Sequence, residues 1–114
     1  MEVDQTWMAV HKFARISPRK ARLVIDLIRG MPCNDALEQL RFNKRRAVGM
    51  VVDVLKSAMA SASEQEADVR RLYVQEARVD GGGYNRRWRP KDRGRAHPIA
   101  KRMSHIVVAV GERK

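Results

Sequence analysis

Cysteine is nearly absent from these 114 residues: Cys33 stands alone, so no intramolecular disulfide can form and no Cys pair can nucleate a zinc site. A reducing, cytosolic setting follows from that usage. His11, His97 and His105 have no metal-ligand spacing, no carboxylate pair accompanies a nucleophile, and Gly81, Gly82 and Gly83 lack the Lys and Ser/Thr that complete a phosphate-binding P-loop. Those gaps argue against an enzyme, and neither a metal nor a cofactor is expected. No run approaches the roughly 18 apolar residues of a membrane helix. The start MEVDQTWMAV also lacks the positive-then-apolar pattern of a signal peptide, so a soluble, unexported protein is expected. Acids are scarce too, 13 against 24 Lys and Arg, which leaves a net charge of +11 and a pI near 10.9.

What is present is concentrated. In residues 84–102, YNRRWRPKDRGRAHPIAKR, eight side chains are basic and Asp92 is the single acid. Such a stretch cannot be core. Clustered charge of one sign predicts a polyanionic partner, nucleic acid first. Arginines can hold phosphates bidentately, Tyr84 and Trp88 offer flat faces to unstacked bases, and Gly94 between Arg93 and Arg95 lets the backbone approach phosphates closely.

The remainder reads as one domain, 1–114, large enough for a modest core. Residues 6–13, TWMAVHKF, suit a strand. Ser17 can N-cap a helix whose first position is Pro18, with Ala21, Val24, Ile25 and Ile28 on one face and Gly30 and Pro32 ending it. The opposite face carries Arg19, Lys20, Arg22 and Arg29, a solvated face in which Asp26 is spaced to pair with Arg22 or Arg29. A short second helix is predicted from Asn34 to about Leu40, with a break over residues 41–43. The third helix, residues 44–62, is the most apolar and should be the central one. Its first turn, Lys44, Arg45 and Arg46, places cations at the positive end of the helix dipole, at a cost of roughly 0.3–1 kcal/mol each at low salt. A phosphate at that helix start would relieve the repulsion.

After a polar link at residues 61–68, Leu72 and Val74 alternate as in a strand, but Ala77 and Val79 fall in the opposite phase. A β-bulge near Gln75 and Glu76 would restore one face. Ser104, Ile106, Val108 and Val110 alternate cleanly, with Met103, His105, Val107 and Ala109 on the reverse face. If these two strands pair antiparallel, the residues between them form an extended hairpin, 80–102, turning near residues 89–93. Each arm of about ten residues spans about 30 Å at roughly 3.3 Å per residue, so the hairpin must project from a domain with a radius of gyration of about 13 Å. Its tip is expected to order only on its partner.

Nearly the whole chain resembles the family of large-subunit ribosomal protein twenty-two. The residues that carry the resemblance are ARISPRKARLVIDLIRG (residues 14–30), the AL of NDALEQL, KRRAV at the long helix, VDGG (79–82) and RPKDRGRAHPIAKRMSHI (89–106). The chain departs from the usual pattern at Gly83, Lys91, Asp92 and Met103. The resemblance implies an α+β fold, three helices packed on a small three-stranded antiparallel sheet with a long protruding basic β-hairpin. It also implies a structural constituent of the large ribosomal subunit in a bacterial cytoplasm, bound as a monomer to large-subunit ribosomal RNA and neighbouring ribosomal proteins and supporting assembly. The hairpin would line the nascent-peptide exit tunnel, with Asn85, Arg86, Arg87, Trp88, Arg89 and Pro90 facing the nascent peptide at its tip.

The RNA-binding set expected from both readings falls in three groups. Arg15, Ser17, Arg19, Lys20 and Arg22 surround the first helix, and Lys44, Arg45 and Arg46 precede the long one. Arg86, Arg87, Trp88, Arg89, Lys91, Arg93, Gly94, Arg95, Lys101 and Arg102 line the arm, with His105 at its root. The competing reading is a DNA-architectural protein whose basic β-arm enters a groove, which ordinarily requires a dimer. An RNA-modifying enzyme would need a cofactor pocket that the sequence does not offer.

Overall fold

Three helices lie against one face of a three-stranded antiparallel sheet in a computed structural model that describes residues 6–91 and 95–112, with backbone alone described for 83–101. In chain order the elements are β1 (Thr6–Ala14), α1 (Pro18–Ile28), α2 (Cys33–Arg41), α3 (Ala47–Glu64), a 3₁₀ turn (Val69–Arg71), β2 (Leu72–Lys91) and β3 (Arg95–Glu112). The sheet order is β1-β3-β2, so the last strand is the central one. Among the described residues no helix is long and apolar enough to cross a membrane.

The apolar spacing works as the sequence predicts. Ala21, Val24, Ile25 and Ile28 are all buried, and the Ser17 hydroxyl oxygen accepts the Lys20 N–H at 3.4 Å while Pro18 opens α1. From α3, Val51, Val54, Leu55, Ala58 and Ala62 enter the same core and meet Ile106, Val108 and Val110 of β3. Trp7 of β1 closes its edge, its indole N–H donating to Gln65 Oε1 at 2.9 Å.

The bulge in β2 falls where the phase change requires it. Val74 pairs with Val110 and Glu76 with Ala109, so Gln75 is the extra residue and Leu72, Val74, Ala77 and Val79 are all buried. Among the described residues no helix covers the reverse face of β3, yet Val107 and Ala109 are buried there. Their cross-strand neighbours, Val10 and Arg78, and Met8 and Glu76, flank them.

The outer edge of β2 is covered by the chain after α1. Gly30 N donates to Val74 O and Val74 N to Met31 O, at 3.0 and 2.8 Å, and Pro32 bridges Tyr73. Two arginines of α1 continue that cover. Arg22 donates Nε and Nη2 to Val79 O (3.2 and 2.9 Å), and Arg29 donates the same pair to Ala77 O (3.1 and 2.6 Å). Part of the supposedly solvated face of α1 thus satisfies a strand edge that would otherwise invite pairing. Asp26 pairs with Arg29 at 2.9 Å rather than with Arg22.

α3 differs from its expected bounds at both ends. Residues 44–46 precede the helix, which opens at Ala47 with Arg46 as N-cap. Asn43 is the reason: its Oδ1 accepts the Arg45 N–H at 2.9 Å, and that local turn competes with helix formation. At the other end the helix runs on to Glu64, with Ser61 Oγ donating back to Ser57 O at 3.2 Å and Ala62 buried.

β2 and β3 continue together beyond the core. Pairing runs from Tyr84↔Arg102 through Trp88↔Pro98 to Lys91↔Arg95, after a register shift between Gly81 and Tyr84. Pro90 takes its place in that ladder because β2 is an edge strand. The molecule measures 65 × 26 × 23 Å with a radius of gyration of 17.2 Å, well above the roughly 13 Å of a compact chain this long. The hairpin therefore projects. The sequence places the turn near residues 89–93, but Arg89, Pro90 and Lys91 are paired in the ladder, and Asp92, Arg93 and Gly94 lie outside the described residues, where the tip expected to order on its partner also falls.

Candidate nucleic-acid interface

At the root of the arm, four segments converge on one cleft. The β1–α1 loop supplies Arg15, Ile16 and Ser17, α1 supplies Lys20 and Leu23, the start of α3 supplies Arg45, Arg46 and Ala47, and β3 supplies Arg102. Its volume is about 640 Å³. Ile16 and Ala47 are buried and give it an apolar floor, while all five cations are exposed. Among the described residues no Asp or Glu lines it. Like charges from separate segments repel one another, so their convergence opposes stability and favours an anion between them.

The loop is held rigidly. Ser104, the buried polar residue of β3, donates its hydroxyl to Ile16 O at 2.6 Å, and Ile16 N donates to Ala14 O at 2.8 Å. The central strand and the arginine-bearing loop are thereby tied together where the arm leaves the sheet.

Charge is also polarised along α3. Lys44, Arg45 and Arg46 stand at its N-terminal end, and Glu64, Glu66 and Asp68 at its C-terminal end. Both sets reinforce the helix dipole instead of countering it. Local helix stability is thereby sacrificed to give the cleft side of the domain a strong positive field.

Of the residues expected to bind RNA, the structure brings Arg15, Ser17, Lys20, Arg45, Arg46 and Arg102 into this cleft. Arg19 is exposed on α1 but does not line it. Lys44 lines an adjoining depression with Gln39, Phe42, Asn43 and Arg45, and Arg22 is engaged with Val79 O. His105 sits at the arm's root, where Nδ1 accepts the Phe13 N–H at 3.1 Å and the two rings meet edge to face at 4.7 Å. Phe13 adopts φ 57, the kink at which β1 loses register with β3. Gly82 lies against the same imidazole: a Cβ there would come within 3.2 Å of His105 Cε1 and of the Met103 carbonyl carbon.

Along the arm the register places Arg86 opposite Ala100, Arg87 opposite Ile99, Arg89 opposite His97 and Asn85 opposite Lys101. Basic residues thus recur down the length of both strands. On the outward side of β2, Arg78 joins Glu76 and Asp80, the latter at 3.2 Å, and hydrogen bonds to the two carboxylates hold its guanidinium above the usual arginine range. That pairing occupies two of the few acids near the arm.

Phe42 is the feature that sequence reasoning missed. At 76% exposure it is the most open large apolar side chain among the described residues, and the only advance signal was an aromatic set between Arg41 and Lys44.

Comparison with known proteins bears on the same residues. Residues 9–111 match the family model described as ribosomal protein L22p/L17e. The chain is 51% identical over 104 residues to the large ribosomal subunit protein uL22 of Rubrobacter xylanophilus, covering 90% of this chain and 82% of that protein. It is 50% identical over 103 residues to that of Magnetococcus marinus, with 90% and 91% covered. The Hydrogenobaculum protein of the same name is 43% identical over 112 residues, with 98% and 93% covered. With the matched segment running from β1 through the arm to the end of β3, the chain belongs to the ribosomal protein L22p/L17e family.

Proposed function

We propose that this chain, acting as a single RNA-binding unit over 1–114, binds large-subunit ribosomal RNA through the cleft at the arm's root and through the arm itself. The role is structural and not enzymatic, that of a component of the large ribosomal subunit in the bacterial cytoplasm. The observation that carries this reading is the cleft: five cations from four segments meet over an apolar floor, with no acid in the lining among the described residues. Phosphates would sit among Arg15, Lys20, Arg45, Arg46 and Arg102, next to the N-terminal end of α3. The arm, continuous with the two core strands, would carry the remaining basic residues away from the domain into folded RNA, tying RNA segments together during assembly. Its far portion, residues 85–90, would stand in the wall of the nascent-peptide exit tunnel beside neighbouring ribosomal proteins, within reach of the nascent peptide.

The test is co-sedimentation of the full chain with large ribosomal subunits after a high-salt wash, together with competition between structured large-subunit RNA and duplex DNA. Retention on subunits and preference for RNA by a monomer are expected. Preference for duplex DNA by a dimer would overturn the reading in favour of a DNA-architectural role.

A further inference from the structure

We propose that Phe42 is a base-stacking platform, on which one unstacked nucleotide of the bound RNA lies while Lys44 and Arg45 hold the phosphates beside it; this rests on the RNA-binding reading above. The fold makes little use of the ring. Its exposure is 76%, against 57% for Phe13 and 52% for Met8. Phe13 has its own ring partner in His105, whereas Phe42 meets the Arg41 guanidinium, 5.9 Å from the ring centroid. Arg41 is in turn steadied by Glu38 at 3.9 Å.

The turn that presents the ring is preorganised. Phe42 ends α2 in a helical conformation, Asn43 N donates to Leu40 O at 3.0 Å, and Asn43 Oδ1 accepts from Arg45 N at 2.9 Å. Beside the ring lies an open depression of about 570 Å³, lined by Gln39, Phe42, Asn43, Lys44 and Arg45. The side-chain amides of Gln39 and Asn43 can meet a base edge, and the two cations can meet its phosphates. Arg45 also lines the larger cleft, so the two depressions share a cation at their junction, through which one RNA strand could reach both.

Charge complementarity selects the occupant. A flat, uncharged ring flanked by Arg41, Lys44 and Arg45 suits a polyanion whose repeating units have apolar faces, and single-stranded RNA is such a polymer. A protein partner would have to supply both an apolar knob and several carboxylates at this turn.

The experiment measures binding of the full chain to large-subunit ribosomal RNA transcribed in vitro, over a series of salt concentrations. Phe42→Ala should weaken binding by about 5- to 100-fold with the log-salt slope unchanged, since a stacked base and not a phosphate contact is lost. Phe42→Trp should restore affinity and Phe42→Leu should not, while thermal unfolding stays that of the unsubstituted chain. Binding by Phe42→Ala within twofold of the original would overturn this inference alone. So would full rescue by leucine, which would show a general apolar contact with the RNA and not a stacked base. Failure of the unsubstituted chain to bind the RNA would overturn the proposed function together with this inference.

Discussion

The buried hydroxyl of Ser104 donates to the carbonyl of Ile16 across 2.6 Å, joining residues 88 positions apart in sequence. It fixes the β1–α1 loop to the central strand at the point where the strand leaves the core for the arm. Ser104→Ala removes the donor and leaves a buried carbonyl unsatisfied, so a loss of about 1–3 kcal/mol is expected in urea unfolding.

Gly82 tests the packing of the arm's root. An added Cβ would meet the Met103 backbone and His105 Cε1 at 3.2 Å, whereas nothing lies within 4 Å of one at Gly81. Gly82→Ala should therefore destabilise by about 1 kcal/mol or more, while Gly81→Ala should shift the thermal midpoint far less. Equal shifts for both would show that the contact is slack.

Arginines of two kinds can be separated by measurement. Arg22→Met and Arg29→Met each strip a strand carbonyl of two donors, so stability should fall by about 1 kcal/mol for each with the log-salt slope of RNA binding unchanged. Arg45→Gln and Arg102→Gln should do the reverse. Their exposed side chains contribute little to folding, but each lost phosphate contact should reduce the slope by roughly 0.7–0.9.

Cys33 supplies a pH signature. Burial at the start of α2 pushes its thiol from 9.0 up to about 12, so the folded state keeps its proton where the unfolded chain loses it. Below about pH 9 both states are protonated and the thiol adds no pH dependence. Between about 9 and 12 the unfolded chain ionises first, and stability should decline with rising pH. Cys33→Ala should show a shallower alkaline decline, and the native thiol should resist maleimide until the protein is denatured.

Much of this architecture is legible in the residue pattern because apolar periodicity reports directly on burial. The stripe of α1, the extra residue at Gln75 and the pairing that turns residues 84–102 into an arm all follow from that single physical cause. Features decided by a polar atom choosing among partners are not legible in that way. Whether Asn43 caps a turn or yields to α3, whether Asp26 takes Arg22 or Arg29, and whether Arg22 faces water or a strand carbonyl depend on tertiary positions that no local pattern encodes. The cleft was visible as a set of basic residues and invisible as a place, since its members come from segments 15–23, 45–47 and 102. Phe42 escaped because an aromatic near a helix end looks like core until the fold leaves it uncovered.

β3 is at once the middle strand of the sheet and one rail of the arm. A pull on the far end of the arm would draw β2 and β3 the same way, and would load the hydrogen bonds between β3 and β1 together in shear rather than one at a time as in unzipping. The other rail, β2, is an edge strand, and its free side is held by Gly30, Met31 and the two arginines of α1. Routing the protrusion through the centre of the sheet makes it a beam anchored in the body, able to bear tension without unravelling what holds it.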